Sequence, residues 1–169
     1  GIVVVQLNTT YPIFIHSKFG HIGMETVSAL FILNSLVITL LQVPLTNKVH
    51  RFNKLSIIGL GALLIGMGMF LLIFAFSLYI AIAACLLFTA GEMLFFQTAQ
   101  LVCHKNSKVN RKGISIGTFR STYAMSRIIG PTIGGTIYHG LGGSTLWLIC
   151  GIIGLTCLLI TKTCKSQAN

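Results

Sequence analysis

Three charged residues sit where an apolar chain should carry none. Glu92 lies inside "LLFTAGEMLFFQTAQLV", residues 86–102, and the chain has only one other acidic residue, Glu25. Arg120 and Arg127 lie in a second long run, seven residues apart, on one helical face with Tyr123, Gly130 and Gly134. A charge at the centre of a bilayer costs about 3 kcal/mol or more, so it faces protein interior or water and takes a partner. Two kinds of chemistry are open to Glu92. It is a protonatable site or substrate counter-ion in a central cavity, or it is half of an ion pair that latches two helices together. Guanidiniums on the next span favour the latch.

The elements that must position these residues follow from composition. Of 169 residues, 54% are hydrophobic and 8% charged, against about 25% charged in a soluble domain. The mean hydropathy is +0.87. Five segments are long enough to span hydrocarbon as helices: 26–45, 55–76, 78–103, 113–138 and 144–161. The opening run, 1–15, reaches only about 22 Å at 1.5 Å per residue and is expected to be the second half of a sixth span, its start missing. These runs are continuously apolar rather than alternating, which predicts an all-α, polytopic transmembrane bundle in a single domain and favours helices over a barrel.

Depth arithmetic then relates the charges. If the fourth span descends to Cys103 and the fifth rises from Gly113, Glu92 sits about 16 Å above that end. Arg120 sits at about 10 Å and Arg127 at about 21 Å on the same scale. The expectation is a buried Glu92–Arg120/Arg127 cluster between neighbouring spans.

The remaining cations orient the chain. Lys48, Arg51 and Lys54 follow the second span, Lys105, Lys108, Arg111 and Lys112 the fourth, and Lys162 and Lys165 the sixth. The alternate connections hold only Lys18. By the positive-inside rule the three basic clusters are cytoplasmic, as is the C-terminus. The net charge of +10 is thereby a membrane-orientation signal. It does not indicate nucleic acid, since no basic cluster has interleaved aromatics.

Polar residues mark faces that should avoid lipid. Gln6, Asn8, Thr9, Thr10 and Tyr11 precede Pro12. Ser35, Thr39 and Gln42 recur at i, i+4, i+7, and Gln97 and Gln100 are one turn apart. With Tyr123 they are candidates to line a shared aqueous cavity, or to bond helix to helix. Gly130-Pro131 and Gly134-Gly135 read as a kink and a close-packing face. Gly59 and Gly66, one heptad apart, read as a second packing face. No nucleophile–base pair can be placed, and no His or Cys set has metal spacing. An enzyme, a metal and a cofactor are not expected.

Several stretches resemble the major facilitator superfamily, and within it the drug:proton antiporter-like bacterial branch. "QLNTTYPIFI" is similar to the end of helix seven, and "LQVPLTNKVHRFNKLSIIGLG" to the helix eight–nine junction. "GEMLFFQTAQLV" resembles helix ten, and "RKGISIGTFRSTYAMSRIIGPTIGG" the ten–eleven loop with helix eleven. Gln97 stands where the family commonly has Pro, and the eight–nine loop keeps only its basic character. The glycine–proline pattern also marks helix five, but the end of the chain soon after the sixth span points to the C-terminal half. The resemblance implies a secondary transporter of a small solute by alternating access, with proton-coupled efflux across a bacterial plasma membrane. The partners it implies are the bilayer, the solute, protons and a missing N-terminal six-helix half. A nutrient symporter of the same fold and a non-transporting remnant of a split gene are the alternatives.

Overall fold

The computed structural model describes residues 1–49, 52–106 and 112–167, and these are helical, with no strand among them. The helices are α1 (Ile2–Val5), α2 (Thr10–Phe19), α3 (Gly23–Val49), α4 (Lys54–Leu71), α5 (Leu78–Asn106), α6 (Lys112–Leu141) and α7 (Gly143–Gln167). Arg51, Lys108 and Arg111 of the expected basic connections lie outside the described residues, as do the side chains of Lys105, Lys112 and Lys165. Among the described residues four stretches are long and apolar enough to cross a membrane: Thr10–Val49, Lys54–Phe74, Leu78–His104 and Gly143–Thr163. At 30 residues α6 has the length, yet it is the least apolar of the five long helices. Arg120, Arg127 and its many Ser and Thr residues dilute it.

Two glycines make the reversals between helices. Gly20, at φ 55°, turns α2 back into α3, and Gly142, at φ 86°, turns α6 into α7. Both are left-handed conformations that glycine adopts without steric cost. The connection into α4 closes differently, with the Asn53 side chain accepting from the Leu55 amide at 3.0 Å. This satisfies one of the orphan donors at the helix start.

α4 is apolar all round, and it buries its glycine-bearing faces while leaving Leu60, Met67 and Phe70 exposed. It is packed between α5 and α7, and glycines set both seams. A Cβ on Gly61 would lie 2.7 Å from the Phe95 amide nitrogen, and one on Gly91 would lie 2.7 Å from the Gly61 carbonyl oxygen. On the other side a Cβ on Gly66 would lie 2.8 Å from the Gly154 Cα, while Gly59 faces Thr161 and Leu158. The heptad pair Gly59 and Gly66 therefore lies against α7. Around this layer the core closes on Trp147, Met69, Leu72, Ile15 and Tyr11, with Phe14 edge-on to Trp147 at 5.4 Å between ring centroids.

The seams predict an asymmetry among the glycines. Gly154→Leu drives a side chain into backbone and should cost about 3 kcal/mol or more, the upper range for overpacking. Gly135→Ala meets nothing within 4 Å and should be neutral. Thermal unfolding in detergent, followed by emission of the chain's single tryptophan, separates the two outcomes.

Candidate functional site: a polar cavity beside an interrupted helix

The opening segment, expected as one continuous span through residue 15, is instead broken between α1 and α2. Over Gln6–Thr9 the backbone tightens into bonds three residues back, from Gln6 to Val3 and Leu7 to Val4, then from Asn8 to Val5 and Thr9 to Gln6. The Tyr11 amide then reaches five residues back, to the Gln6 carbonyl, at 2.9 Å. Local chemistry explains the break. Thr9 turns its hydroxyl onto the Val5 carbonyl at 3.1 Å, competing with the helical ladder. Pro12, in the first turn of α2, has no N–H to offer the carbonyl of Asn8.

The break is anchored to α6. Gln6 is 1% exposed. Its Nε2 donates to the Gly130 carbonyl at 2.8 Å and to the Ile2 carbonyl at 3.3 Å. Its Oε1 accepts from the Thr10 hydroxyl at 2.6 Å and from Thr9 at 3.4 Å. The amide is used at both ends. It fits because α6 presents a stripe of small residues four apart, Ser126, Gly130 and Gly134. Gly1 abuts Ser126, Val5 abuts Gly130, and a Cβ on Gly134 would collide with the Gln6 side chain. Pro131 sits half-buried within this stretch of α6.

Beyond the break, Asn8 and Tyr11 line a cavity of about 300 Å³ where α2, α3 and α5 meet. Asn34, Ser35 and Glu92 line it from the other helices, with the rings of Phe31 and Phe88. A polar ladder runs behind it. The Thr89 hydroxyl donates to the Cys85 carbonyl at 2.6 Å, and Asn34 Nδ2 donates to Thr89 Oγ1 at 2.7 Å. The Asn34 amide is also within hydrogen-bonding reach of the Glu92 carboxylate. Tyr11 is 1% exposed, lies edge-on to Phe88 at 5.7 Å, and among the described residues its buried hydroxyl has no hydrogen-bond partner.

Glu92 makes no ion pair with Arg120 or Arg127 in this structure, and both arginines stand exposed. The seam between α5 and α6 is lined by rings instead. Phe96, one turn beyond Glu92, lies edge-on to Tyr123 at 5.1 Å and to Phe119 at 6.5 Å. Tyr123 is within electrostatic reach of both Glu92 and Arg127.

The other predicted lining residues are distributed over separate places. Tyr123 borders a groove of about 500 Å³ between α5 and α6. Ser35 and Thr39 share a groove on α3 of about 480 Å³, and Gln42 is half-buried further along that helix. Gln97 and Gln100 open on a cavity of about 270 Å³ with His104. Gln6 and Thr10 belong to the anchored break. Lys48 is exposed at the end of α3 and Lys54 begins α4. Sequence reasoning missed Asn34 and Thr89. Thr89 stands three residues before Glu92, on the same helical face, and Asn34 is an isolated amide in an apolar run. Among the described residues no three His, Cys, Asp or Glu side chains gather as a metal site.

The chemistry open to this arrangement is narrow. A carboxylate that shares a cavity with a neutral amide and a phenol can take up a proton or receive a hydrogen-bond donor of a bound solute. The family model described as Major Facilitator Superfamily matches residues 1–164. The chain is similar to the "Uncharacterized MFS-type transporter YqjV" of Bacillus subtilis (strain 168), with 24% identity over 156 residues. That alignment covers 90% of this chain and 38% of the relative's length, so the chain spans well under half of it. No solved structure matches.

The ladder predicts that Asn34→Leu, which strips both Thr89 and Glu92 of a partner, destabilises the fold by about 1–3 kcal/mol. Ser28→Ala removes only an exposed hydroxyl bonded to its own helix and should change little. Midpoints of thermal unfolding for the two variants, compared in one detergent, check the difference.

Proposed function

The chain belongs to the Major Facilitator Superfamily, and from that premise we propose that it forms one helical half of a secondary transporter moving a small solute out of the cell in exchange for protons. The observation that carries the reading is Glu92. It faces a cavity of about 300 Å³ beside an interrupted helix, with an amide and no guanidinium as its neighbour. Discontinuous helices and an ionisable residue at membrane depth are the features by which a solute or proton pathway is marked. On this reading Glu92 is the proton-carrying group, and Asn8 and Ser35 are the groups a solute meets.

The exposed arginines supply the argument for a partner. A guanidinium turned to hydrocarbon costs about 3 kcal/mol, so the face of α6 bearing Arg120 and Arg127 is the one against which we place a second six-helix half. Alternating access is then a rocking of the two halves about the cavity. The basic clusters set its orientation in the plasma membrane, with the C-terminus in the cytoplasm.

Energised everted membrane vesicles containing the intact protein test this reading. Adding a transported solute to vesicles with an acidic interior should release protons, read by a pH-sensitive dye. Glu92→Gln should cut that release by about a hundredfold at unchanged protein level, the scale for losing a positioned proton-transfer group. Undiminished release from Glu92→Gln vesicles would remove Glu92 from the pathway.

A further inference from the structure

We propose that Gln6 is the positioning residue of the cavity: its side-chain amide, bonded to the Gly130 carbonyl of α6, holds the helix break in the register that turns Asn8 and Tyr11 toward Glu92. The inference rests on the transport reading of that cavity, but its geometry stands apart from it.

Three observations converge on Gln6. First, the side chain is 1% exposed, and each half of its amide has partners of the right kind. Nitrogen faces the carbonyl oxygens of Gly130 and Ile2, while oxygen faces the hydroxyls of Thr9 and Thr10. An inverted amide would set oxygen against two carbonyls, so the orientation is fixed by its surroundings. Second, the seat on α6 is built for this side chain. Gly134 has no Cβ because Gln6 occupies that space, and Gly130, whose carbonyl receives the bond, is itself pressed by Val5. Third, the bond joins two weak points. Gln6 begins the interruption between α1 and α2, and Pro131 follows Gly130 directly, leaving the Arg127 carbonyl without its usual donor four residues on. A displacement of α6 along its axis is therefore transmitted by Gln6 to the break, and from the break to residues 8 and 11.

The alternative is that Gln6 merely fills space. The two roles differ in what a substitution moves. Gln6→Leu keeps the bulk and removes every hydrogen bond. Gln6→Glu keeps the size and the acceptor for Thr9 and Thr10, but sets oxygen against the Gly130 carbonyl. Gly134→Ala crowds the same seat from the α6 side. Gly154→Ala is the control, since it lies on the seam between α4 and α7, away from the break.

The readout is the rate at which N-ethylmaleimide modifies an Asn8→Cys probe in the intact protein in lipid vesicles, followed by peptide mass spectrometry so that native cysteines are counted separately. Positioning by Gln6 predicts labelling slowed by about tenfold in the Gln6→Leu, Gln6→Glu and Gly134→Ala backgrounds, as expected when a buried, fully used amide loses its partners. Gly154→Ala should lower thermal stability and leave the labelling rate alone. Lost stability with unchanged labelling in all three backgrounds overturns the proposal. Where Gln6→Leu fails to fold, Gln6→Glu and Gly134→Ala decide. If Glu92→Gln leaves proton release intact while Gln6→Glu still slows labelling, the transport reading fails and the positioning role stands.

Discussion

A helix interrupted among apolar helices leaves backbone N–H and C=O groups that only the protein itself can satisfy. Much of this fold follows from how that demand is met at Gln6–Thr9. Tight turn bonds and the hydroxyls of Thr9 and Thr10 take up the local part. The rest is anchored at a distance, through Gln6 to the Gly130 carbonyl. That bond requires α6 to approach within a side chain's length, which in turn requires residue 134 to carry no Cβ. The approach of α6 then decides its other contacts, with Phe119 and Tyr123 against Phe96 and the arginines turned outward.

A second constraint comes from the other side of the bundle. With α4 covered by α5 on one side and α7 on the other, backbones approach through glycine at Gly61 and Gly91, and again at Gly66 and Gly154. α3 carries its one glycine at its start, where a Cβ on Gly23 would lie 2.7 Å from the His16 Cα of α2. It meets α2 and α5 along one edge, through Asn34, Leu30 and Val27, and leaves Ile32, Leu36 and Leu40 exposed. The cavity that holds Glu92 lies at that looser edge. A tightly packed glycine layer on one side and an open polar seam on the other place the rigid part and the accommodating part of the chain on opposite flanks of α5.

The sequence carries these features unequally. Long apolar runs made α3, α4, α5 and α7 legible, because covering backbone in an apolar medium leaves helix as the available form. Gly59 and Gly66 were legible from their heptad spacing, whereas the close approaches at Gly61, Gly91 and Gly154 were not, and Gly135, read with Gly134 as a close-packing face, meets nothing within 4 Å. The break was not, although its parts were visible: Gln6, Thr9 and Thr10 before Pro12 read as one polar face of a continuous helix. What spacing cannot supply is the partner, and an interrupted helix is stable only where another helix accepts its side chains. Asn34 went unread for a similar reason. A single amide in an apolar run has no periodicity, and its meaning appears only when Thr89 and Glu92 are brought beside it.

The charges show where one-dimensional reasoning stops. Rise per residue gives depth, and by depth Glu92 and the two arginines are neighbours. Azimuth is set by which side chains fill each seam, and here Phe96 takes the seam that a salt bridge would need. The consequence for Glu92 is chemical. A guanidinium would satisfy both the hydrogen bonding and the charge of a carboxylate in a fixed fork, and would do so in any state that kept the two helices together. An amide such as Asn34 satisfies hydrogen bonding and leaves charge uncompensated. On the proposed reading, a carboxylate placed in this way responds to a cation that enters its cavity, a proton included. The same residue paired to arginine would respond mainly to helix separation. The identity of one neighbour, amide or guanidinium, thus separates a group that senses what is in the cavity from one that holds the cavity shut.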